Sequence, residues 1–328
     1  MHTVKPPQEL LDEWLEPFPS VEGQYGHTLL EQLIPSDDHV RAGLTPYFES
    51  AHLDARTCFH EFASISLHPD DGESGCNAQY PNALPPISRR GLFGEVISGL
   101  VTQAYSFVGE HEWLLPVFLF RNHEDARQYL FQLVRDPARQ RQVQGRKGDD
   151  FIAICVDEDG KVTRFIAGEA KWRATWNNSE LDKVMLGDTV KDPDTKKAQR
   201  DDDGKVIRDG RGVWFEINRA IKVPTGVKQL QMILEECAKA EFETVIESLD
   251  RILLPTDPDP SERTDLILLA GGTGPARAKG SPLIDWEEMP TEYTAGRDLQ
   301  VVELLLKDGD ALIDAIYDGL WADDDDDD

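Results

Sequence analysis

Residues 148–172 read GDDFIAICVDEDGKVTRFIAGEAKW, and the fold turns on this stretch. Phe151 to Val156 is an unbroken run with the composition of a buried strand. Asp157-Glu158-Asp159-Gly160 is tight-turn chemistry, and residues 162–170 form a second β-rich run. Two such runs around an acidic-glycine turn predict a β-hairpin. Its second strand ends in Glu169-Ala170-Lys171, and side-chain alternation puts Glu169 and Lys171 on one face.

Upstream, Leu92, Val96, Leu100 and Ala104 recur at helical spacing, predicting a helix over 92–107 that carries Glu95. Helices are also expected at 9–15, 29–33 and 124–134. Strand-like runs fall at 58–67 and 114–120, and Pro81, Pro85 and Pro86 break the chain between them. Downstream, 187–210 is rich in Asp, Lys and Gly and reads as an exposed insertion. A short strand is expected at 213–217 and a long helical region at 226–252, broken near Ala240. Pro255, Pro258 and Pro260 mark a linker. A strand at 265–270, a glycine-rich turn and a C-terminal helix over 298–317 complete the pattern. The expectation is an α/β protein with a mixed central sheet flanked by helices. Its parts are an N-terminal subdomain (1–84), a core (85–254) and an acidic extension (255–328) ending in disordered poly-Asp.

Length and composition narrow the function classes. The 328 residues are 40% hydrophobic, enough for a buried core and too many for wholesale disorder. No apolar run reaches the ~18 residues of a membrane span, and the N-terminal residues lack a signal pattern, so a cytoplasmic protein is expected. Cys58, Cys76, Cys155 and Cys237 are widely separated and form no paired motif. His52, Cys58, His60, His68 and Cys76 make a loose group whose spacing fits no zinc motif. Residues 271–281 (GGTGPARAKGS) lack the Gly-Lys-Ser/Thr of a phosphate loop.

Charge is strongly negative: 34 Lys+Arg against 62 Asp+Glu give −28. Residues 255–328 hold 20 acidic and 5 basic side chains, a net of −15. Residues 121–148 run the other way. Arg121, Arg127, Arg135, Arg139, Arg141, Arg146 and Lys147 face only Glu124, Asp125 and Asp136 there, which makes this stretch a candidate phosphate-contacting surface. A protein this acidic is repelled by nucleic acid at long range. Nucleic-acid chemistry would therefore need a local basic groove, a divalent metal or a basic partner.

The residues that can carry chemistry are Glu95, Asp150, Glu169 and Lys171. Mg²⁺-dependent phosphodiester hydrolysis needs hard oxygen ligands and a group that offsets charge building on phosphate. Asp150 and Glu169, at the ends of neighbouring strands, supply carboxylates. Lys171 lies beside Glu169, and Glu95 comes from a helix packed on the sheet. Trp172, Arg173 and Trp176 follow directly and can either stack on nucleotides or pack into the core.

In this order — helical Glu95, Asp150 before an apolar strand, a turn, then a strand ending in E-x-K — the chain resembles the PD-(D/E)xK nuclease superfamily. Residues 90–172 resemble in particular the nuclease subunits of Hachiman-type anti-phage defence systems, and the resemblance spans roughly 85–255. It implies a restriction-endonuclease-like core and a DNA nuclease controlled by a helicase partner. It further implies Mg²⁺ (or Mn²⁺) on Asp150 and Glu169, with Lys171 assisting and Glu95 adding a ligand or base. Asp149-Asp150 stands where the family has Pro-Asp; either aspartate can be the ligand, and Asp150, which abuts the strand, is preferred. Gln229 or Gln231 can take the place of a glutamine some relatives carry on the following helix. Arg139, Arg141, Arg146, Lys147, Trp172 and Arg173 are the candidate nucleic-acid contacts. The rival reading is a non-enzymatic acidic binding subunit, in which Glu169 and Lys171 are only an ion pair.

Overall fold

Residues 265–270 (DLILLA) are apolar at every position after the aspartate because both faces of this strand are covered. Leu266, Leu268 and Ala270 pack on one side, and Ile267 and Leu269 on the other. The structure, a computed structural model, describes residues 1–64, 79–105, 108, 112–136, 138, 149–219, 223–272, 278–284 and 286–321.

Helix α1 (Gln8–Trp14) leads into strands β1 (Leu15–Val21) and β2 (Tyr25–Gln32), followed by α2 (Asp38–Ser64) and α3 (Pro86–Ala104). A 3₁₀ turn (Leu119–Asn122) precedes α4 (Glu124–Arg135). The hairpin is β3 (Phe151–Val156) and β4 (Val162–Arg173), then come α5 (Asn178–Leu186), α6 (Val213–Ile217), α7 (Thr225–Cys237) and α8 (Glu243–Ile252). Strand β5 (Glu262–Gly272), strand β6 (Asp298–Leu306) and helix α9 (Gly309–Gly319) finish the described chain.

The strands form one mixed sheet in the order β1-β2-β6-β5-β4-β3. Strands β2, β6, β5 and β4 run parallel, while the edge strands β1 and β3 are antiparallel to their neighbours. Helices α2, α3 and α9 cover one face. On the other face, α5 and α6 pack over β5 and β6, and α7 and α8 over β3 and β4. The expected mixed sheet flanked by helices is thus what the chain forms. Residues 1–84, 85–254 and 255–328 do not build separate layers: each contributes strands to this single sheet.

The hairpin, the helix carrying Glu95, the break in 226–252 and the strand at 265–270 lie where the pattern places them. Five segments differ. Residues 29–32 are strand, not helix, because β2 finds β6 as a parallel partner. The described part of 58–67 is helical. Val40, Leu44, Phe48, Ala51, Ala55 and Phe59 are all buried at helical spacing along α2, and that face outweighs the local β-branched and aromatic content. In 114–120, only Leu114 pairs, with Ile154; Pro116 has no N–H to extend the ladder, and a 3₁₀ turn follows. Residues 213–217 form a short helix, and 298–317 divides into β6 and α9. The insertion at 187–210 is held by isolated bridges, Thr189 to Arg208 and Arg200 to Val206 among them. The poly-Asp end, His68, Cys76, Arg139, Arg141, Arg146 and Lys147 lie outside the described residues.

Candidate active site

Pairing of β3 with β4 stops where Phe151 meets Gly168. Beyond that point Glu169 to Arg173 pair with β5 on one side, and among the described residues no strand lies on the other. Asp150 occupies the open edge. Its backbone N–H donates to the Gly168 carbonyl at 2.8 Å, and its Oδ2 accepts the Ala170 N–H at 2.7 Å. The carboxylate takes the hydrogen bond that another strand residue would have made, so the backbone of β4 fixes its position.

Two residues along, Glu169 and Lys171 share a face, and the Lys171 ammonium donates to Glu169 Oε1. Ala170 and Trp172 turn to the opposite face. A Cβ on Gly94 would meet the Ala170 methyl at 3.4 Å, so α3 lies close against β4 here, and Phe93 sits edge-on to Trp172 at 5.5 Å. This approach brings the next residue of α3, Glu95, to the same place. Glu95 is buried and lies 3.5 Å from Nε2 of the buried His123, at the start of α4.

Glu95, His123, Asp150, Glu169 and Lys171 line one cleft of about 1010 Å³. It opens where β4 ends and where α9 begins after β6, the carboxyl end of the parallel strands, at which α/β sheets commonly bind ligands. Arg90 from α3, Arg173 from the end of β4 and Arg219 just after α6 stand along its walls. Asp310 joins two of those walls, accepting from the Trp172 indole at 3.1 Å and from Arg90 Nε at 3.0 Å.

Burial, reinforced by the charge of Asp150, pushes the Glu169 carboxyl up to about 8, although Lys171 pulls it down. Burial by itself would lower Lys171. The carboxylates of Glu169 and Asp150 outweigh it and hold the ammonium above its usual range. The site is therefore a crowded carboxylate pair with one fixed cation. Hard oxygen donors that repel each other suit a divalent ion such as Mg²⁺, which relieves that repulsion. Among the described residues no three His, Cys, Asp or Glu side chains are grouped closely enough to hold a metal. Glu95 lines the cleft together with Asp150 and Glu169, and its charge also acts on Lys171.

The sequence left Asp149 and Asp150 open as ligands, and the structure separates them. Asp149 pairs with Arg263 at 3.3 Å, whereas Asp150 lines the cleft. Trp172 and Trp176 are both buried, and Trp176 donates to the Ala270 carbonyl at 3.0 Å, so both pack into the core. Gln231 is buried on α7 and donates to Glu235, and neither it nor Gln229 lines the cleft. Arg121 of the basic stretch is held by both oxygens of Asp54 and by Glu236, and Arg135 stacks on Phe131. Of the loose His/Cys group, the described members His52, Cys58 and His60 form no metal cluster. His52 is engaged by Tyr80 and Tyr317 at 3.0 and 3.1 Å, and His60 accepts the Tyr80 N–H.

Sequence reasoning missed His123, Arg90, Arg219 and Asp310. Each comes from a different element, and no spacing in the chain connects them. Comparison with known protein families and with curated proteins finds no match to this chain.

Proposed function

We propose that the chain is a metal-dependent nuclease that hydrolyses phosphodiester bonds in DNA. The observation that carries this reading is the half-buried Asp150–Glu169 pair with Lys171, gathered at the open edge of β4 inside the cleft. The order of helical Glu95, Asp150, hairpin turn and E-x-K strand also supports it.

Asp150 and Glu169 are the residues that would hold Mg²⁺ or Mn²⁺, which when bound activates water and neutralises phosphate charge. Asp150 is anchored by the Ala170 N–H, so its oxygens are pre-positioned and little order must be gained on binding. Lys171 keeps its charge and has two further N–H donors beyond the one given to Glu169. These can orient the attacking water or bind a phosphate oxygen as negative charge grows on it. In the reaction a P–O bond forms to water and a P–O ester bond breaks, with the water's proton passing to solvent or to the leaving oxygen. Control by a helicase and a role in defence against phage rest on the resemblance to Hachiman-type nucleases.

The test is to incubate the purified chain, with and without any co-encoded helicase, with linear and plasmid DNA in Mg²⁺ or Mn²⁺. Glu169→Ala and Lys171→Ala proteins run alongside. Metal-dependent cutting that both substitutions abolish is the expected result. A folded protein that cuts nothing under any of these conditions overturns the reading in favour of a binding subunit.

A further inference from the structure

In a chain of net charge −28, three arginines from three separate elements stand around one cleft. Arg90 comes from the first turns of α3, Arg173 from the last residue of β4, and Arg219 lies two residues after α6. Each meets an acid: Arg90 with Asp310 at 3.0 Å, Arg173 with Glu180 at 3.7 Å, and Arg219 with Glu216 at 2.9 Å. The last two pairs are two-fifths to one-half exposed, where an ion pair is worth little and a phosphate can take the carboxylate's place.

Apolar side chains share the lining with these arginines and with the carboxylates: Leu84, Leu92, Ala126 and Trp172 are buried, while Ile87 is 60% exposed. A duplex offers a protein wall its phosphates, because its bases are stacked inside. An exposed apolar side chain beside guanidinium groups instead matches an unpaired strand, whose bases and phosphates are both exposed. Glu95 is buried and the Glu169 side chain is only 13% exposed, which places these carboxylates inside the recess rather than on a flat face.

We propose that this cleft binds single-stranded nucleic acid, with Arg90, Arg173 and Arg219 taking successive phosphates and the exposed Ile87 side chain packing against a base. The inference deepens the nuclease reading by naming the form of its substrate, and rests on that reading for the chemistry alone.

Fluorescence anisotropy of the full chain in EDTA, without metal, tests it. The probes are a labelled dT12 strand and a hairpin duplex of equal length, titrated at several salt concentrations. The strand is expected to bind at least roughly 10-fold more tightly than the duplex. Arg173→Gln and Arg219→Gln are each expected to weaken strand binding roughly 10-fold and to lower the salt slope by about 0.7. Circular dichroism and the melting temperature should stay unchanged, since both arginines are partly exposed.

Equal or tighter duplex binding, no strand binding, or arginine variants that bind as the parent does would each overturn the proposal. The cleavage assay separates the two readings. Metal-dependent cutting without strand preference sinks this inference and leaves the nuclease standing. Arginine-dependent strand binding with no cutting keeps the cleft as a binding site and removes the nuclease.

Discussion

At Glu169, burial and the neighbouring Asp150 both favour the protonated carboxyl, and its pKa rises to about 8. A carboxyl raised in the folded state stabilises the fold fully below its unfolded value near 4.5. That contribution is lost as pH rises through 8. Glu169→Gln should therefore abolish metal-dependent cleavage while leaving the melting temperature at pH 8 unchanged or higher. Thermal melts of both proteins across pH 5–9 check this, and a large loss of stability would mark Glu169 as structural. His52 runs the other way. Burial lowers it to about 3, and both ring nitrogens are engaged by tyrosine hydroxyls. The unfolded chain takes up a proton near pH 6.5 that the folded chain refuses until about 3. Below 6.5, each pH unit then costs about 1.4 kcal/mol of stability. His52→Gln is expected to flatten the acid limb of a stability–pH curve measured by urea denaturation; an unchanged limb would mean that other groups set it.

The hairpin is the element whose geometry builds the site, and its register depends on a missing side chain. A Cβ on Gly168 would lie 1.8 Å from Cε1 of Phe151, which packs across the strand at the point where pairing stops. Gly168→Ala must push that ring aside, so a loss of about 1–3 kcal/mol is expected. The Asp150-to-Ala170 hydrogen bond should be disturbed with it, which the melting temperature and the Ala170 amide exchange rate together report. At the other wall, a Cβ on Gly309 would lie 2.4 Å from Cη2 of Trp172, so Gly309→Ala tests how closely α9 must sit. The hairpin, the α3 helix and the E-x-K ending are legible in the sequence because each depends on contacts within a few tens of residues. The β2 strand, the continuation of α2 through Phe59 and the division of 298–317 into strand and helix are not. Their apolar runs fit helix and strand equally well, and a distant partner decides between the two.

On the scale of the whole molecule, the sheet order places β6 and β5 between β2 and β4. The central strands thus come from the last quarter of the chain, although composition marks that segment as an acidic extension. A fragment of residues 85–254 keeps β3 and β4 but loses β5, the partner that β4 meets from Arg164 to Arg173. It should fail to give dispersed amide resonances or a cooperative melt. A well-folded fragment would show that the core stands alone.

By itself, the sequence determined that this is an α/β chain with a hairpin ending in Glu169 and Lys171, preceded by Asp150 and by a helix carrying Glu95. Those are consequences of local periodicity and turn chemistry, which adjacent residues settle among themselves. Only the tertiary structure decided that Asp150 rather than Asp149 faces the cleft, since Arg263 claims its neighbour. It also decided that both tryptophans turn inward. His123, Arg90 and Arg219 line the same cleft as the carboxylates for the same reason: which residues far apart in the chain come together follows from how helices and strands pack, which no spacing along the chain encodes.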